Sequence, residues 1–285
     1  MDLSKLHIIK ASGESVLFSA DSVAHSLKHA GAGDLIIKEI LDTLKLEMYE
    51  GISTKEIYNR AFKLLKAKSN CLASKYKLKK AIYELGPTGF PFEKFIAALF
   101  KNLGYEVTVG KVLPGLCVKH EIDVIATKGK ETLFMECKFH GDQGRNCDVK
   151  IPMYVDSRFR DLQNHNEQKS STNKHEFTQG WVVTNTRFTA DALAYGKCSN
   201  IKLLSWDTPK GNGIKDRIDH TGLYPITVSN LLTKREKQFL LSRDVVLCKE
   251  LINDKFYLDH LGISSLRKQK IVLEMKELCL GSIKN

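Results

Sequence analysis

The chain has 285 residues, of which 42% are hydrophobic and 27% charged, and its formal net charge is +11. This composition is that of a folded globular protein and excludes a disordered chain. The sequence shows neither a signal-peptide pattern nor an apolar run of bilayer length, so we expect a soluble, cytoplasmic protein with no membrane partner. The seven cysteines form no CxxC pair, which favours reduced thiols. The positive charge favours a polyanionic partner such as nucleic acid.

Residues 1–88 are predicted to form a short hairpin followed by helices. The strand-like residues 7–10 and 16–18 flank a turn at Gly13. Ser53-Thr54-Lys55-Glu56 is a capping-box pattern and predicts the start of a helix. The unit ends at the breaker cluster Gly86-Pro87-Thr88-Gly89, which predicts a domain boundary.

Basic side chains are concentrated between residues 55 and 80. This stretch carries nine lysines and arginines against one acid, Glu56. Such a run is either a solvated helix face or a contact surface for phosphates, and the sequence leaves both readings open.

Residues 89–208 mix helical and strand-like periods. Their order is helix, three strands, helix, strand, helix, strand, which predicts an α/β (α+β) unit built on one mixed sheet. Residues 209–285 are predicted to form a C-terminal helical region. The strand-like segments are residues 105–109, 121–127, 132–140, 181–184 and 201–206, and the later helical segments are residues 154–165 and 189–196.

A predicted hairpin carries two carboxylates and a lysine. Asp123 lies six residues before Gly129, and Glu136 lies seven residues after it. Hairpin geometry therefore brings the two carboxylates nearly opposite one another, and the alternation of a strand puts Lys138 on the face of Glu136. A surface hairpin with a polar face would give the same short pattern, but the apolar neighbours favour a central position.

Paired carboxylates among apolar residues need a counter-charge, and a divalent metal supplies one. Oxygen ligands suit Mg²⁺, which takes one or two carboxylates together with waters and substrate phosphate, and Mn²⁺ is an alternative. Lys138 could then orient or deprotonate an attacking water.

At this point the sequence resembles the PD-(D/E)XK nucleases of restriction-endonuclease fold. Asp123 and Glu136-Cys137-Lys138 follow the family's order of elements, and the segments 89–93 and 103–107 are similar to the Mrr-type branch. The resemblance implies that Asp123, Glu136 and the Cys137 carbonyl bind the metal. It also implies that Lys138 is catalytic, with Glu93 as an auxiliary acid.

Several polar residues near this hairpin remain open in role. The family has a glycine-rich segment before the aspartate, and here Val118-Lys119-His120-Glu121 occupies that place. His120 or Glu121 is either an extra ligand or a strand-end polar residue. Arg158 and Arg160 follow on a predicted helix, and we expect them, with His140, to contact nucleic acid.

The N-terminal region resembles an ATP-cone, the nucleotide-sensing domain of ribonucleotide reductases. The resemblance implies that ATP or dATP is bound by Lys10, Ser19, Thr54 and Tyr58. The sequence departs from the family at two positions: Ala11 replaces an arginine and Ser22 replaces a lysine. These losses leave open a degenerate cone that serves oligomerisation or DNA contact.

Together these features predict a restriction-endonuclease-like core (89–208) between an ATP-cone-like domain (1–88) and a C-terminal helical region (209–285). The function we predict is Mg²⁺-dependent endonuclease cleavage of DNA, restriction- or defence-like and regulated by ATP or dATP, in a homo-oligomer (dimer or tetramer). Two alternatives stay open: an inactive, nucleotide-responsive DNA-binding protein, and a nuclease acting on RNA or repair structures.

Overall fold

The computed structural model describes residues 6–10, 12–142, 144–168 and 176–281. Within these ranges, no helix combines the length and apolar character that crossing a membrane requires. Ala11, one of the two departures from the cone pattern, lies outside the described residues. The N-terminal elements are β1 (His7–Ile9), β2 (Ser15–Leu17), α1 (Ala20–His29), α2 (Asp34–Glu47), α3 (Thr54–Lys68), α4 (Asn70–Tyr76) and α5 (Leu78–Tyr83).

The remaining elements follow the breaker cluster. They are α6 (Phe90–Asn102), β3 (Glu106–Pro114), β4 (Lys119–Lys128), β5 (Glu131–Lys138), α7 (Lys150–Gln168), β6 (Gln179–Thr184), α8 (Ala190–Cys198) and β7 (Lys202–Leu204). The C-terminal helices are α9 (Ile214–Thr221), α10 (Lys234–Ser242), α11 (Cys248–Asn253), α12 (Phe256–His260) and α13 (Ser265–Gly281).

Side-chain caps begin α1 and α3, and the cap of α3 lies at the predicted capping-box pattern. The Ser19 hydroxyl accepts a hydrogen bond from the Ser22 backbone N–H (3.1 Å) at the start of α1. The Ser53 hydroxyl accepts one from the Glu56 N–H (3.1 Å) at the start of α3. Each cap satisfies a backbone donor that the first helical turn leaves free. The apolar faces of α1–α4 then pack around Leu27 and other buried residues.

The second unit is a five-stranded mixed sheet in the order β3-β4-β5-β6-β7. The pairs β3–β4 and β4–β5 are antiparallel, whereas β5–β6 and β6–β7 are parallel. Parallel neighbours need a crossover, and α7 and α8 supply the two crossovers. The predicted α/β class and order of elements are therefore confirmed.

Helices cover both faces of this sheet. Phe92, Phe95 and Ile96 of α6 pack against one face, in a cluster with Val124 and Met135. Val155 and Leu162 of α7 pack against the other face, in a cluster with Phe134. The central strands β4, β5 and β6 are thus buried on both sides, as expected for strands with apolar residues at consecutive positions.

The C-terminal helices do not form a separate core. Buried residues of α5, α6, the sheet and α9–α13 belong to one continuous apolar cluster. A buried polar network also joins α4 to α13: Glu274, 3% exposed, accepts hydrogen bonds from the Ser74 hydroxyl (3.2 Å) and the Asn230 N–H (2.8 Å). The Ser229 hydroxyl donates to the same carboxylate. The C-terminal region therefore closes over the helices that precede the sheet.

The basic run between residues 55 and 80 is divided among several roles. Arg60 pairs with Glu56 (2.7 Å) and Lys68 pairs with Glu39 (2.6 Å) on the surface. Lys77 is half-buried and donates to the Ser229 carbonyl (3.1 Å), and burial lowers the pKa of its ammonium to about 8. Lys77 is therefore part of the contact with the C-terminal region.

Removing the buried Glu274 carboxylate should destabilise the whole protein. In Glu274→Ala the hydroxyls of Ser74 and Ser229 and the Asn230 N–H lose their acceptor, at a cost of about 2–4 kcal/mol in the free energy of unfolding. Urea unfolding would measure the loss. Glu277→Ala, at an exposed position of the same helix, is the control and should change stability by less than about 0.5 kcal/mol. Equal stability of the two variants would contradict a structural role for the network.

Candidate active site

The hairpin β4–β5 brings Asp123 and Glu136 together. Val124 pairs with Met135 across the hairpin, so the next pair along the strands is Asp123 and Glu136. The Cys137 N–H donates to Asp123 Oδ2 (2.6 Å), which fixes the Asp123 carboxylate against β5. Glu136 is only 4% exposed. The predicted facing arrangement of the carboxylates is therefore present.

A glycine in the neighbouring strand β3 lies opposite Asp123. Val109 pairs with Val124 and Lys111 with Ile122, so Gly110 lies opposite Asp123. Gly110 has a φ of +66°, a left-handed conformation that side-chain-bearing residues rarely adopt. Opposite Gly110 the regular alternation of β4 is interrupted. Ile122 and Val124, two residues apart, would share a face in a regular strand, but Val124 packs with α6 and Ile122 packs with α7 on the other face. A glycine inside a strand is the sequence signal for such a distortion.

Burial and like charge raise the pKa of Asp123. Burial contributes most and the neighbouring Glu136 carboxylate adds to it, and together they raise the pKa of Asp123 to about 6. The Cys137 N–H and the cations Lys138 and Arg158 oppose this rise. The site therefore holds more negative charge than its surroundings readily accommodate, which is the electrostatic condition for binding a cation.

Lys138 lies beside Glu136 as strand alternation predicts. Its Nζ donates to Glu136 Oε1 (2.6 Å), and its side chain is half-buried. Burial alone would lower the pKa of Lys138, but the hydrogen bond and charge of Glu136, with the charge of Asp123, raise it above its ordinary value. Lys138 is therefore a protonated donor in this arrangement.

Arg158 has a different position from the one its sequence context suggests. It is 8% exposed, and its guanidinium donates to Glu136 Oε2 and to the Glu121 carbonyl. The guanidinium also lies over the ring of Tyr154, 5.3 Å from its centroid. The guanidinium N–H groups of Arg158 are thus bonded within the protein, and Arg158 acts as a counter-ion that fixes Glu136.

Arg158 is in turn contacted by His120, which pairs with Asp161, a contact that the sequence does not predict. Arg158 Nε donates to His120 Nδ1 (3.4 Å), and His120 Nε2 lies 2.7 Å from Asp161 Oδ2. Because Nδ1 accepts, the proton of the neutral ring is on Nε2 and is donated to Asp161. Burial would raise the pKa of Asp161, but the hydrogen bonds from His120 and Cys117 lower it to about 2. His120 therefore orients Arg158, and its ring nitrogens are both engaged.

An open cleft of about 280 Å³ gives access to the carboxylates. Glu93 is half-buried on α6, and the carboxylates at this cleft affect its pKa. Burial raises the pKa of Glu93 most, followed by the charges of Asp123, Glu121 and Glu136, and the result is about 7. The residues that line the cleft are Lys119, His120, Glu121, Asp123, Glu136, Tyr154 and Arg158.

The oxygen atoms at this cleft suit a hard divalent cation. Within the described ranges, no cluster of three or more His, Cys, Asp or Glu side chains is arranged to hold a metal ion. Mg²⁺ does not need such a cluster, since it binds through one or two carboxylates and keeps several waters. Glu136 uses one lone pair of each oxygen for Lys138 and Arg158, and a carboxylate offers about four such sites. The residues present therefore fit Mg²⁺ or Mn²⁺.

The other two predicted nucleic-acid contacts lie outside the cleft lining. Arg160 is on the exposed side of α7 and forms an ion pair with Asp156 (3.0 Å). The backbone N–H and carbonyl of His140 bond to the Asn185 side chain (both 2.8 Å) just beyond β5. The His140 Nε2 atom is buried with no hydrogen-bond partner among the described residues. Arg160 remains accessible to a phosphate, whereas His140 is held by the loop that follows β6.

The predicted nucleotide-binding residues line a cavity of about 450 Å³ in the N-terminal unit. Lys10, Ser19, Thr54 and Tyr58 all contribute to its wall, and so does Ser22. Lys10 Nζ forms an exposed ion pair with Glu14 (2.9 Å). The Tyr58 hydroxyl is buried and has no hydrogen-bond partner within the described part of the chain. These residues, distant in sequence, therefore converge on one space.

Comparisons with known proteins place these features in a family context. Residues 87–208 match the family model of the restriction endonuclease (Mrr catalytic) domain, and residues 224–279 match the model "AF1548-like, C-terminal". An uncharacterized protein of Archaeoglobus fulgidus is 32% identical over 184 residues, which are 64% of this chain and 99% of that protein. A crystal structure of the protein of unknown function AF1548 matches with a TM-score of 0.55 and 30% identity. It covers 68% of this chain, and the match includes 100% of the solved chain.

Because the pKa of Asp123 is raised, the free energy of unfolding without bound metal should depend on pH. A carboxyl whose folded pKa lies above its unfolded value stabilises the fold at low pH, and that contribution is lost as pH rises from about 4 to 6. Asp123→Asn, which stays neutral, should therefore raise the free energy of unfolding at pH 8 by roughly 1–3 kcal/mol.

The measurement is urea unfolding in EDTA at pH 8 and pH 4. At pH 4 the wild type and Asp123→Asn should differ less, because the folded Asp123 carboxyl, with its pKa of about 6, is then protonated and neutral like the asparagine amide. Asp142→Asn, an exposed carboxylate, is the control and should show no such dependence. A loss of stability in Asp123→Asn at pH 8 would mean that Asp123 is not under electrostatic strain.

Proposed function

Because the chain belongs to the AF1548-like family and carries a restriction-endonuclease-like domain, we propose that it is a metal-dependent endonuclease that hydrolyses phosphodiester bonds in DNA. The domain match itself indicates a nuclease. The observation that carries this proposal is the pairing of the half-buried Asp123 with the buried Glu136, with Lys138 bonded to Glu136 (2.6 Å) at an open cleft. A restriction- or defence-like role follows from the same family context.

The proposed metal ligands are the carboxylates of Asp123 and Glu136 and the backbone carbonyl of Cys137. Bound there, Mg²⁺ or Mn²⁺ would neutralise the charge on a scissile phosphate and lower the pKa of a bound water. Arg158 holds Glu136 in place from behind, so that one carboxylate oxygen keeps a fixed direction.

Lys138 is proposed to orient the attacking water and to stabilise developing negative charge. Its raised pKa favours this role over that of a general base, because an ammonium with a high pKa has no free lone pair at neutral pH. Glu93 is better suited to accept a proton, since its pKa of about 7 lies near the working pH. We therefore assign the auxiliary proton-transfer role to Glu93.

DNA is the proposed substrate, and the net charge of +11 supports binding through phosphate contacts. Arg160 is a proposed phosphate contact because it is exposed on α7, the helix that also carries Arg158. For Arg158 we propose a positioning role in place of direct contact, since its donors bind Glu136 and the Glu121 carbonyl. His140 stays a candidate through its loop position alone.

Regulation by ATP or dATP is a second proposal, supported by the cavity that Lys10, Ser19, Thr54 and Tyr58 share. The buried Tyr58 hydroxyl lacks a partner there, and a ligand could supply one. We further propose that nucleotide binding shifts a homo-oligomeric assembly, a dimer or tetramer, because cutting both strands requires two sites. The division into an ATP-cone-like unit (1–88), a nuclease unit (89–208) and a C-terminal helical region (209–285) belongs to the same proposal.

Plasmid cleavage with Mg²⁺ tests the enzymatic proposal. The wild-type protein should nick or linearise DNA, and Lys138→Ala should lower the rate by roughly 10²–10⁴-fold. Lys130→Ala changes an exposed lysine in the turn of the same hairpin and should cleave like wild type. Asp123→Asn and Glu136→Gln should abolish cleavage while the circular dichroism spectrum stays unchanged.

The same assay separates the alternatives. Retarded migration of DNA without cleavage, in Mg²⁺ and in Mn²⁺, would support an inactive DNA-binding protein. Cleavage of RNA or of branched DNA with intact plasmid would move the substrate class and keep the site. Full activity of Lys138→Ala would contradict the assignment of this site.

Nucleotide regulation has its own test. ATP or dATP should change both the sedimentation profile and the cleavage rate, since a ligand shifts assembly only if it binds one state better. Lys10→Ala should remove both effects, whereas Lys55→Ala, exposed on α3 and outside the cavity lining, should keep them. If calorimetry detects no ATP or dATP binding at millimolar concentration, the cavity is not a nucleotide site.

A further inference from the structure

A second, larger cleft separates the N-terminal helices from the mixed-sheet unit. Its volume is about 720 Å³, within the range of small-molecule sites. Residues of α1, α4 and α5 form one wall, and Arg187 with residues 206–219 forms the other. Five lysines and arginines line it: Lys75, Lys79, Arg187, Lys210 and Lys215.

The acids in this cleft are committed to other partners. Asp207 pairs with Arg187 (2.8 Å), and Asp216 accepts a hydrogen bond from the Gly213 N–H (2.9 Å) at the start of α9. Asp219 accepts one from the Tyr224 hydroxyl (3.0 Å). In the described part of the chain, none of the four lysines has a carboxylate within the 4.0 Å of an ion pair. With five lysines and arginines against three aspartates, the cleft lining carries a net positive charge.

Two of these lysines hold their charge at a cost. Lys79 and Lys215 are half-buried, and burial is the main cause that lowers the pKa of each ammonium. Arg187 lowers the pKa of Lys79 further, and Asp219 and Asp216 counteract the effect on Lys215. An anionic ligand between them would remove this cost, and phosphate oxygens form strong charge-assisted bonds with lysine.

The walls also offer aromatic surface. Tyr58, Tyr76 and Trp206 line the cleft beside the lysines. The cleft is bounded on two sides and its size matches a small ligand, whereas duplex DNA requires a long open groove. Its composition thus favours a compact molecule with several phosphates and a flat ring system.

We propose that this cleft binds a small polyphosphate, by chemistry a nucleoside diphosphate or triphosphate, held between the N-terminal helices and the mixed-sheet unit. Such a ligand contacts both units at once and stabilises their docked arrangement. The cleft shares the walls Ser26, Tyr58 and Tyr76 with the cavity of Lys10. Its five lysines and arginines are separate from that cavity's lining, so the inference does not depend on nucleotide binding there.

Calorimetry on the full chain tests the inference, with ATP and inorganic tripolyphosphate as the two probes. In Lys79→Glu/Lys215→Glu the affinity for the ligands should fall about tenfold or more, because two charge-assisted contacts become repulsive. Lys80→Glu alters a neighbouring exposed lysine outside the cleft lining and should change affinity by less than about twofold. Repeating the titrations in Lys10→Ala removes any binding that the other cavity contributes.

Tighter binding of ATP than of tripolyphosphate would support a nucleotide ligand, and equal binding would support an inorganic polyphosphate. If the charge-reversed protein does not fold by circular dichroism, Lys79→Gln/Lys215→Gln replaces it, with a smaller loss expected. Wild-type affinity in the double variant, or no binding of either probe at millimolar concentration, overturns the inference. So does a loss of duplex DNA affinity with tripolyphosphate binding intact, since the cleft would then be a DNA surface.

Discussion

Two carboxylates held side by side, the half-buried Asp123 and the buried Glu136, determine how the neighbouring residues of the site are arranged. Asp123 and Glu136 are adjacent across β4–β5, and their proximity contributes to the pKa of about 6 at Asp123. Glu136, which is almost fully buried, is tolerated because Lys138 and Arg158 each bond one of its oxygens. His120 and Asp161 then hold Arg158 from behind. Lys138 and Arg158 thus compensate the charge of Glu136, and His120 and Asp161 keep Arg158 in the position that this requires.

The same need connects the fold to the chemistry. The strand β5 is buried on both faces, so Glu136 is only 4% exposed. The helices α6 and α7 that cover these faces also carry Glu93 and Arg158. Elsewhere the chain uses buried charge differently: Glu274 joins α4 to the C-terminal helices through neutral donors. One carboxylate network is therefore fully satisfied and structural, whereas the other keeps Asp123 under strain and open to a cleft. Only the strained network has the properties of a reactive site.

Much of the core was predictable from the sequence, because local periodicity determines it. Alternation and the turn at Gly129 were sufficient to bring Asp123, Glu136 and Lys138 together. The length of β3 could not be predicted from the sequence. Gly110 and Pro114 usually interrupt a strand, but β3 nevertheless pairs with β4 as far as Pro114↔Lys119. The difference between Arg158 and Arg160 was partly accessible: residues two apart on a helix point in nearly opposite directions. Which of them faces the sheet depends on packing, as does the contact of His120 with Asp161, 41 residues away.

We propose that the strained carboxylate pair binds a divalent cation, and a crystal soaked in Mn²⁺ tests this claim. We expect an anomalous difference peak between Asp123 and Glu136, within about 2.5 Å of a carboxylate oxygen of each. The Cys137 carbonyl should be directed at the same peak, and Glu136→Gln should lose it. A well-ordered site without a peak at millimolar Mn²⁺, or a peak held by other residues, would contradict the claim.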